Sequence, residues 1–243
     1  MKKREGGKQM NAKTSSPASI GDRLRSVLKR QVLNKNLKPH LRRIPEEQRE
    51  SEYLRLASRI GARYASCTLD TYELSDHENQ REVFGQVEKY AADMENNIQN
   101  GSGIIMYGRC GTGKDHLVVA VLYQAILDHG FTCDYIRGSS FFESLRAAIG
   151  DGVPEKEVIR SLEKPLILAL SDPMPPVGAT SNFQTDALFR LIDSRYRQNK
   201  VTFATMNVDN SAEAQKRLSA QIVDRLTHNA LTLSFDWQSY RRK

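Results

Sequence analysis

Cysteine is sparse in this 243-residue sequence: Cys67, Cys110 and Cys133 stand far apart, with no CxxC pair. That spacing excludes a disulfide framework and a cysteine-held metal centre, and a reducing cytoplasm is the expected setting. Long hydrophobic runs are missing too. No stretch approaches the roughly 20 apolar residues that a membrane-spanning helix needs, so a membrane is not an expected partner. The opening MKKREGGKQM continues into more polar sequence and lacks the apolar segment of a secretory signal. No internal repeat is visible. Negative charge is scarce in one region: residues 1–43 hold 13 Lys and Arg against only Glu5 and Asp22. With a formal net charge of +7 for the whole chain, the remainder is slightly acidic. The basic arm suits nucleic-acid phosphates or an acidic protein surface, and it suits a solubilising tail equally well.

The apolar residues that are present fall into three regimes. Residues 1–19 have almost nothing to bury, so ordering them is not offset, and they read as a disordered basic tail. From residue 20 to 64 the spacing predicts a small helical module. One basic amphipathic helix carries Ile20, Leu24, Val27, Leu28 and Val32 up to Leu33, and a second runs from Pro45 to Tyr64 with Glu46 and Glu47 at its positive end. Residues 65–243 form the third region. After a connector, Ala65 to Asn79, and a helix, Gln80 to Ile98, apolar strands alternate with helices. Strands are expected at Ile104–Tyr107, Cys133–Ile136, Leu166–Leu170, Thr202–Thr205 and Leu231–Ser234. The intervening helices fall at about Lys114–Asp128, Ser140–Ile149, Pro154–Leu162, Phe183–Gln198 and Ala212–His228. This alternation predicts an α/β fold, a parallel five-stranded sheet flanked by helices.

Directly after the first strand and before a helix stands GRCGTGK, Gly108, Arg109, Cys110, Gly111, Thr112, Gly113 and Lys114, which satisfies GxxxxGK in the context it requires. The glycines let successive backbone N–H groups turn toward phosphate oxygens, the helix N-terminus adds positive potential, and Lys114 can reach the β and γ phosphates. A P-loop NTPase binding ATP with Mg²⁺ is therefore expected. The next residue departs from the pattern: Asp115 stands where Ser or Thr normally ligates Mg²⁺. A second departure lies in LILALSDP, where Asp172 supplies the anchor at a strand end but Ser171 occupies the place of the metal-binding Asp. The two changes exchange a hydroxyl for a carboxylate in opposite directions, which would preserve the charge around the ion. Either Asp115, Ser171 and Asp172 still share the metal while Asp172 orients the attacking water, or the site binds nucleotide and hydrolyses it slowly or not at all.

Three segments together resemble the AAA+ helicase loaders of the DnaC/DnaI/IstB group: GTGKDHL, with His116 as a packing residue; QIVDRL, Gln221 to Leu226; and FDWQSYR, Phe235 to Arg241. The resemblance covers about Arg63 to Arg241. It implies an AAA+ domain with Arg225 as arginine finger, Arg241 as second sensor and Asn207 as polar first sensor, with Lys114 and Asp172 at the phosphates. It further implies a weak ATPase that delivers a replicative DNA helicase to single-stranded DNA, with the N-terminal part gripping the helicase. Because an arginine finger acts on a neighbour's nucleotide, it also implies a homo-oligomer. An IstB-like helper of transposition and a non-hydrolysing nucleotide-binding adaptor are the alternatives. Arg190, Arg195, Arg197 and Lys200 form a charge run that is either a strand-binding path or a solvated face.

Overall fold

Apolar runs of about five residues, each followed by a helix, satisfy their backbone and bury both faces when the strands lie side by side with helices above and below. The computed structural model, which describes residues 43–175 and 178–242, has this arrangement. Strands β1 (Ile104–Gly108), β2 (Cys133–Arg137), β3 (Ile167–Ser171), β4 (Val201–Met206) and β5 (Leu231–Phe235) form one parallel sheet in the order β2-β3-β4-β1-β5. Each strand end lies within one residue of its expected place. The helices are α1 (Glu46–Ile60), α2 (Glu78–Ala92), α3 (Met94–Gln99), α4 (Lys114–Leu127), α5 (Gly138–Gly150), α6 (Glu155–Glu163), α7 (Asn182–Arg197), α8 (Ser211–Arg217) and α9 (Ala220–Thr227). The tail of residues 1–19 and the expected helix Ile20–Leu33 lie outside the described residues.

Alternation along the strands divides the core in two. Ile104, Met106, Ile167, Ala169, Val201 and Phe203 face a cluster shared with α1, α2, α3 and α4, while Ile105, Tyr107, Leu168, Leu170, Ala204 and Met206 face one shared with α5, α6, α7 and α9. Helix α4, which carries the residues just after the phosphate loop, is buried almost all round, from Leu117 through Ile126. Helix α1 packs on it through Leu56, Ala57 and Ile60, and the Arg49 guanidinium donates to the carbonyls of Leu127 and Asp128, both at 3.0 Å, closing the C-terminal end of α4.

Three expected helices are each divided. Pro45–Tyr64 ends at Ile60, where Gly61 takes φ 108° and a separate 3-10 turn, Ala62–Tyr64, follows. Gln80–Ile98 breaks at Asp93, where Asn97 Nδ2 takes the Tyr90 carbonyl at 3.0 Å and Asn96 bonds the Asp93 carboxylate, so side chains compete with the helical ladder. Ala212–His228 breaks before Ser219, whose hydroxyl accepts the Ile222 N–H and starts α9 afresh.

The charge run is corrected at Arg195. Its side chain is wholly buried and donates five hydrogen bonds, to the carbonyls of Leu162, Pro165, Leu166 and Val201 and to the Thr202 hydroxyl. It ties the end of α6 to the starts of β3 and β4, and no strand of DNA can reach it. Burial lowers its pKa to about 9, so it remains charged at neutral pH. Arg190 pairs with Glu155, Arg197 with Asp193, and Lys200 donates to the Glu163 carbonyl, so these cations are also engaged within the fold. Replacing Arg195 with Met strands four buried carbonyls, and a loss of about 3 kcal/mol or more, seen as a melting point lower by roughly 5 to 10 °C, is expected in calorimetry.

Candidate functional site

The sheet delivers its chemistry at the carboxyl ends of β1, β3 and β4. After β1 the chain turns sharply, with Gly111 at φ 83° and Gly113 at φ 92°, in the left-handed region where a side chain is strained. Space forbids a side chain there as well: a Cβ at Gly111 would lie 2.1 Å from Ser239 Oγ, and one at Gly113 2.6 Å from the Tyr72 ring. The Lys114 ammonium folds back over the loop and donates to the carbonyls of Gly108 at 2.7 Å and Arg109 at 2.8 Å. Burial lowers its pKa, and the nearby Asp115 carboxylate works in the other direction.

The loop is clamped from outside. The Thr112 carbonyl accepts the Trp237 indole N–H at 2.9 Å and the Tyr72 hydroxyl at 3.2 Å, and the Tyr240 N–H donates to the Gly111 carbonyl at 3.0 Å. The C-terminal FDWQSYR thus lies against the loop and brings Arg241 beside it. A cavity of about 440 Å³ opens there, walled by Tyr72, Cys110, Lys114, Asp115 and Arg241. A neighbouring one of about 610 Å³ is lined by Arg137, Ser171 and Asp172, and both cavities include Arg63, Tyr64, Asp115, Asn207 and Arg241.

Most expected site residues therefore meet. Asp172, at φ 46°, ends β3 in the left-handed region; its carboxylate accepts from Asn207 Nδ2 at 2.6 Å and from the Asn207 N–H at 3.4 Å. Asp115, in the first turn of α4, accepts the Thr205 hydroxyl at 2.7 Å, and Thr205 sits opposite Ser171 in the β3–β4 ladder. His116 also lines the cavity beside the loop, with its Nε2 2.9 Å from the Thr68 carbonyl and its ring edge-on to Tyr72. Arg225 is not brought in. It lines a separate cavity with Gly103 and Thr202, at the amino ends of β1 and β4, paired with Asp193 at 2.8 Å and placed 4.7 Å over Phe189. Arg63, Tyr64, Tyr72, Thr205 and Trp237 were not expected as site residues, although Trp237 stands within FDWQSYR.

A parallel sheet in this order, with a phosphate loop between its β1 and α4, a polar strand end beside it and a C-terminal arginine folded over it, defines a P-loop nucleotide-binding domain of the AAA+ type. The chain belongs to the family of IstB-like ATP binding proteins, which it matches over residues 18–243. It is 25% identical over 206 residues to the replicative helicase loader DnaC of Buchnera aphidicola subsp. Schizaphis graminum, spanning 82% of this chain and 80% of that protein. A putative insertion sequence ATP-binding protein of Sinorhizobium fredii is 27% identical over 150 residues, 60% of this chain and 49% of that one. The crystal structure of the DnaC helicase loader superposes with a TM-score of 0.62 at 22% identity, over 72% of this chain and 100% of that one, and shows the same fold. Among the described residues no helix is long and apolar enough to cross a membrane.

The clamp on Thr112 makes a direct prediction. Trp237→Phe keeps the ring contact with Phe235 but removes the indole donor. Stability in urea should fall by about 1 kcal/mol, and nucleotide affinity should fall several-fold as the loop loosens; unchanged values for both would show the clamp to be incidental.

Proposed function

We propose that the chain is an ATP-regulated loader that delivers a hexameric replicative DNA helicase to single-stranded DNA. The observation that supports this most is the gathering of Lys114, Asp115, Asp172, Asn207 and Arg241 around two adjoining cavities at the carboxyl edge of the sheet. Similarity to DnaC along most of both chains supports the choice of activity, and the basic residues 1–43 offer charge for the helicase or the DNA.

In this reading the loop amides and Lys114 hold the β and γ phosphates, and Arg241 meets the charge that grows on the transferred group. Asp172, held by Asn207, orients the attacking water. The donor set fits Mg²⁺: the ion prefers oxygen and takes one or two carboxylates together with phosphates, and Asp115, Ser171 and Asp172 line a common cavity. Among the described residues no group of three His, Cys, Asp or Glu is placed to hold an ion, and the nucleotide's phosphates would supply further oxygens. Bound there, Mg²⁺ would neutralise phosphate charge. Turnover is slow in this reading, because the hydroxyl that normally follows the loop lysine is replaced by Asp115.

Arg225, near the amino edge, serves a neighbouring copy's nucleotide, so the working form is a homo-oligomer. A second reading, an ATPase assisting a transposase, is favoured by the 27% identity to the insertion sequence ATP-binding protein.

Lys114→Ala should weaken ATP binding roughly 10- to 100-fold. Arg225→Ala should leave binding intact yet slow phosphate release by about a thousandfold. Mixing the two variants should restore part of the rate, because one supplies the loop and the other the finger. An Arg225→Ala protein that hydrolyses ATP normally by itself rules out the role in trans. Retention of a transposase rather than the helicase in a pull-down decides for the second reading.

A further inference from the structure

The polar residues near the end of β4 are arranged more closely than nucleotide binding alone requires. Thr205 is 3% exposed, and its hydroxyl donates to Asp115 Oδ1 at 2.7 Å. Its carbonyl accepts the Asp172 N–H at 2.8 Å, and two residues on, Asn207 holds the Asp172 carboxylate. One short stretch of strand therefore fixes both carboxylates of the site. The carboxylate so held stands beside Lys114 in the first turn of α4, on the wall of the cavity next to the loop. A hydroxyl in that place is neutral toward phosphate, whereas an oriented carboxylate repels it. A divalent cation between the two turns that repulsion into a bridge.

We propose that Thr205 is a positioning residue that aims Asp115 at the phosphates, so that the chain retains a nucleotide only together with its divalent cation. This rests on the nucleotide site proposed above. Asp115 contributes a charge that rejects bare nucleotide and welcomes the metal complex. Thr205 keeps that charge from swinging out to solvent, where screening would blunt both effects.

The test is a titration of the full chain with a fluorescent ADP analogue, once with MgCl₂ and once with EDTA, read as the ratio of the two affinities. Wild type should favour the magnesium form by about 30-fold or more. Asp115→Asn should reduce that ratio to about 3-fold, chiefly by improving binding in EDTA. Thr205→Val and Thr205→Ala should each lower the ratio, and Thr205→Ser should restore it; a purely structural role for Thr205 would shift melting without moving the ratio. Equal binding of wild type in both buffers, or an unchanged ratio in Asp115→Asn, overturns the inference while leaving the nucleotide site standing. No binding in either buffer removes the site itself.

Discussion

One carbonyl, that of Thr112, ties the structure together. It receives the Trp237 indole from near the C-terminus and the Tyr72 hydroxyl from the connector, while its own side-chain hydroxyl, buried, donates to the Arg109 carbonyl. A phosphate loop must keep its amides pointed inward in the absence of ligand, and glycine alone cannot enforce this, because glycine permits many conformations. Clamping the loop from two remote segments removes that freedom before any ligand arrives. Preorganisation of this kind lowers the ordering cost that a bound polyphosphate would otherwise meet.

The same clamp explains why FDWQSYR and the connector belong to the site although neither carries the loop motif. Phe235 ends β5 and packs at a tilt against Trp237, Tyr72 stacks on Phe84 of α2, and between them these aromatics carry the C-terminal segment across the loop to set Arg241. Burial, rather than charge, does this positioning. Charge acts at the next level. Lys114 is held by carbonyls in a desolvated place, and the carboxylates opposite are held by β4, so the groups of opposite sign in the site are fixed by different elements of the sheet.

How much of this is legible in the sequence depends on the range of each interaction. The strands are, since each is an apolar run whose alternation is local. The loop is, because its glycines and lysine are contiguous and lie where strand gives way to helix. Thr205, Tyr72 and Trp237 are not, because their partners lie 90, 40 and 125 residues away. The breaks at Asp93 and Ser219 escape periodicity because one polar side chain bonding to the backbone outweighs a continuous apolar stripe. Arg195 shows the opposite failure: a cation among surface-like cations is buried because five acceptors converge on it from the end of α6, the segment before β3 and the start of β4. Residues 1–42, where the basic arm lies, are outside the described part, and their role rests on charge alone.

The placement of Arg225 bears on assembly. It is attached to Asp193 and lies over Phe189 on the α7–α9 side of the sheet, whereas the loop opens at the carboxyl edge. Arg225 and the loop cavity, so placed, do not meet within one chain. If Arg225 serves a neighbouring copy as proposed, that contact would join unlike surfaces head to tail, and its repetition would generate a ring or a spiral. For Arg225 to extend, its bond to Asp193 must open, and Arg197 is already in place to keep the Asp193 carboxylate neutralised. In the proposed role, that second cation on the same carboxylate would lower the cost of releasing Arg225.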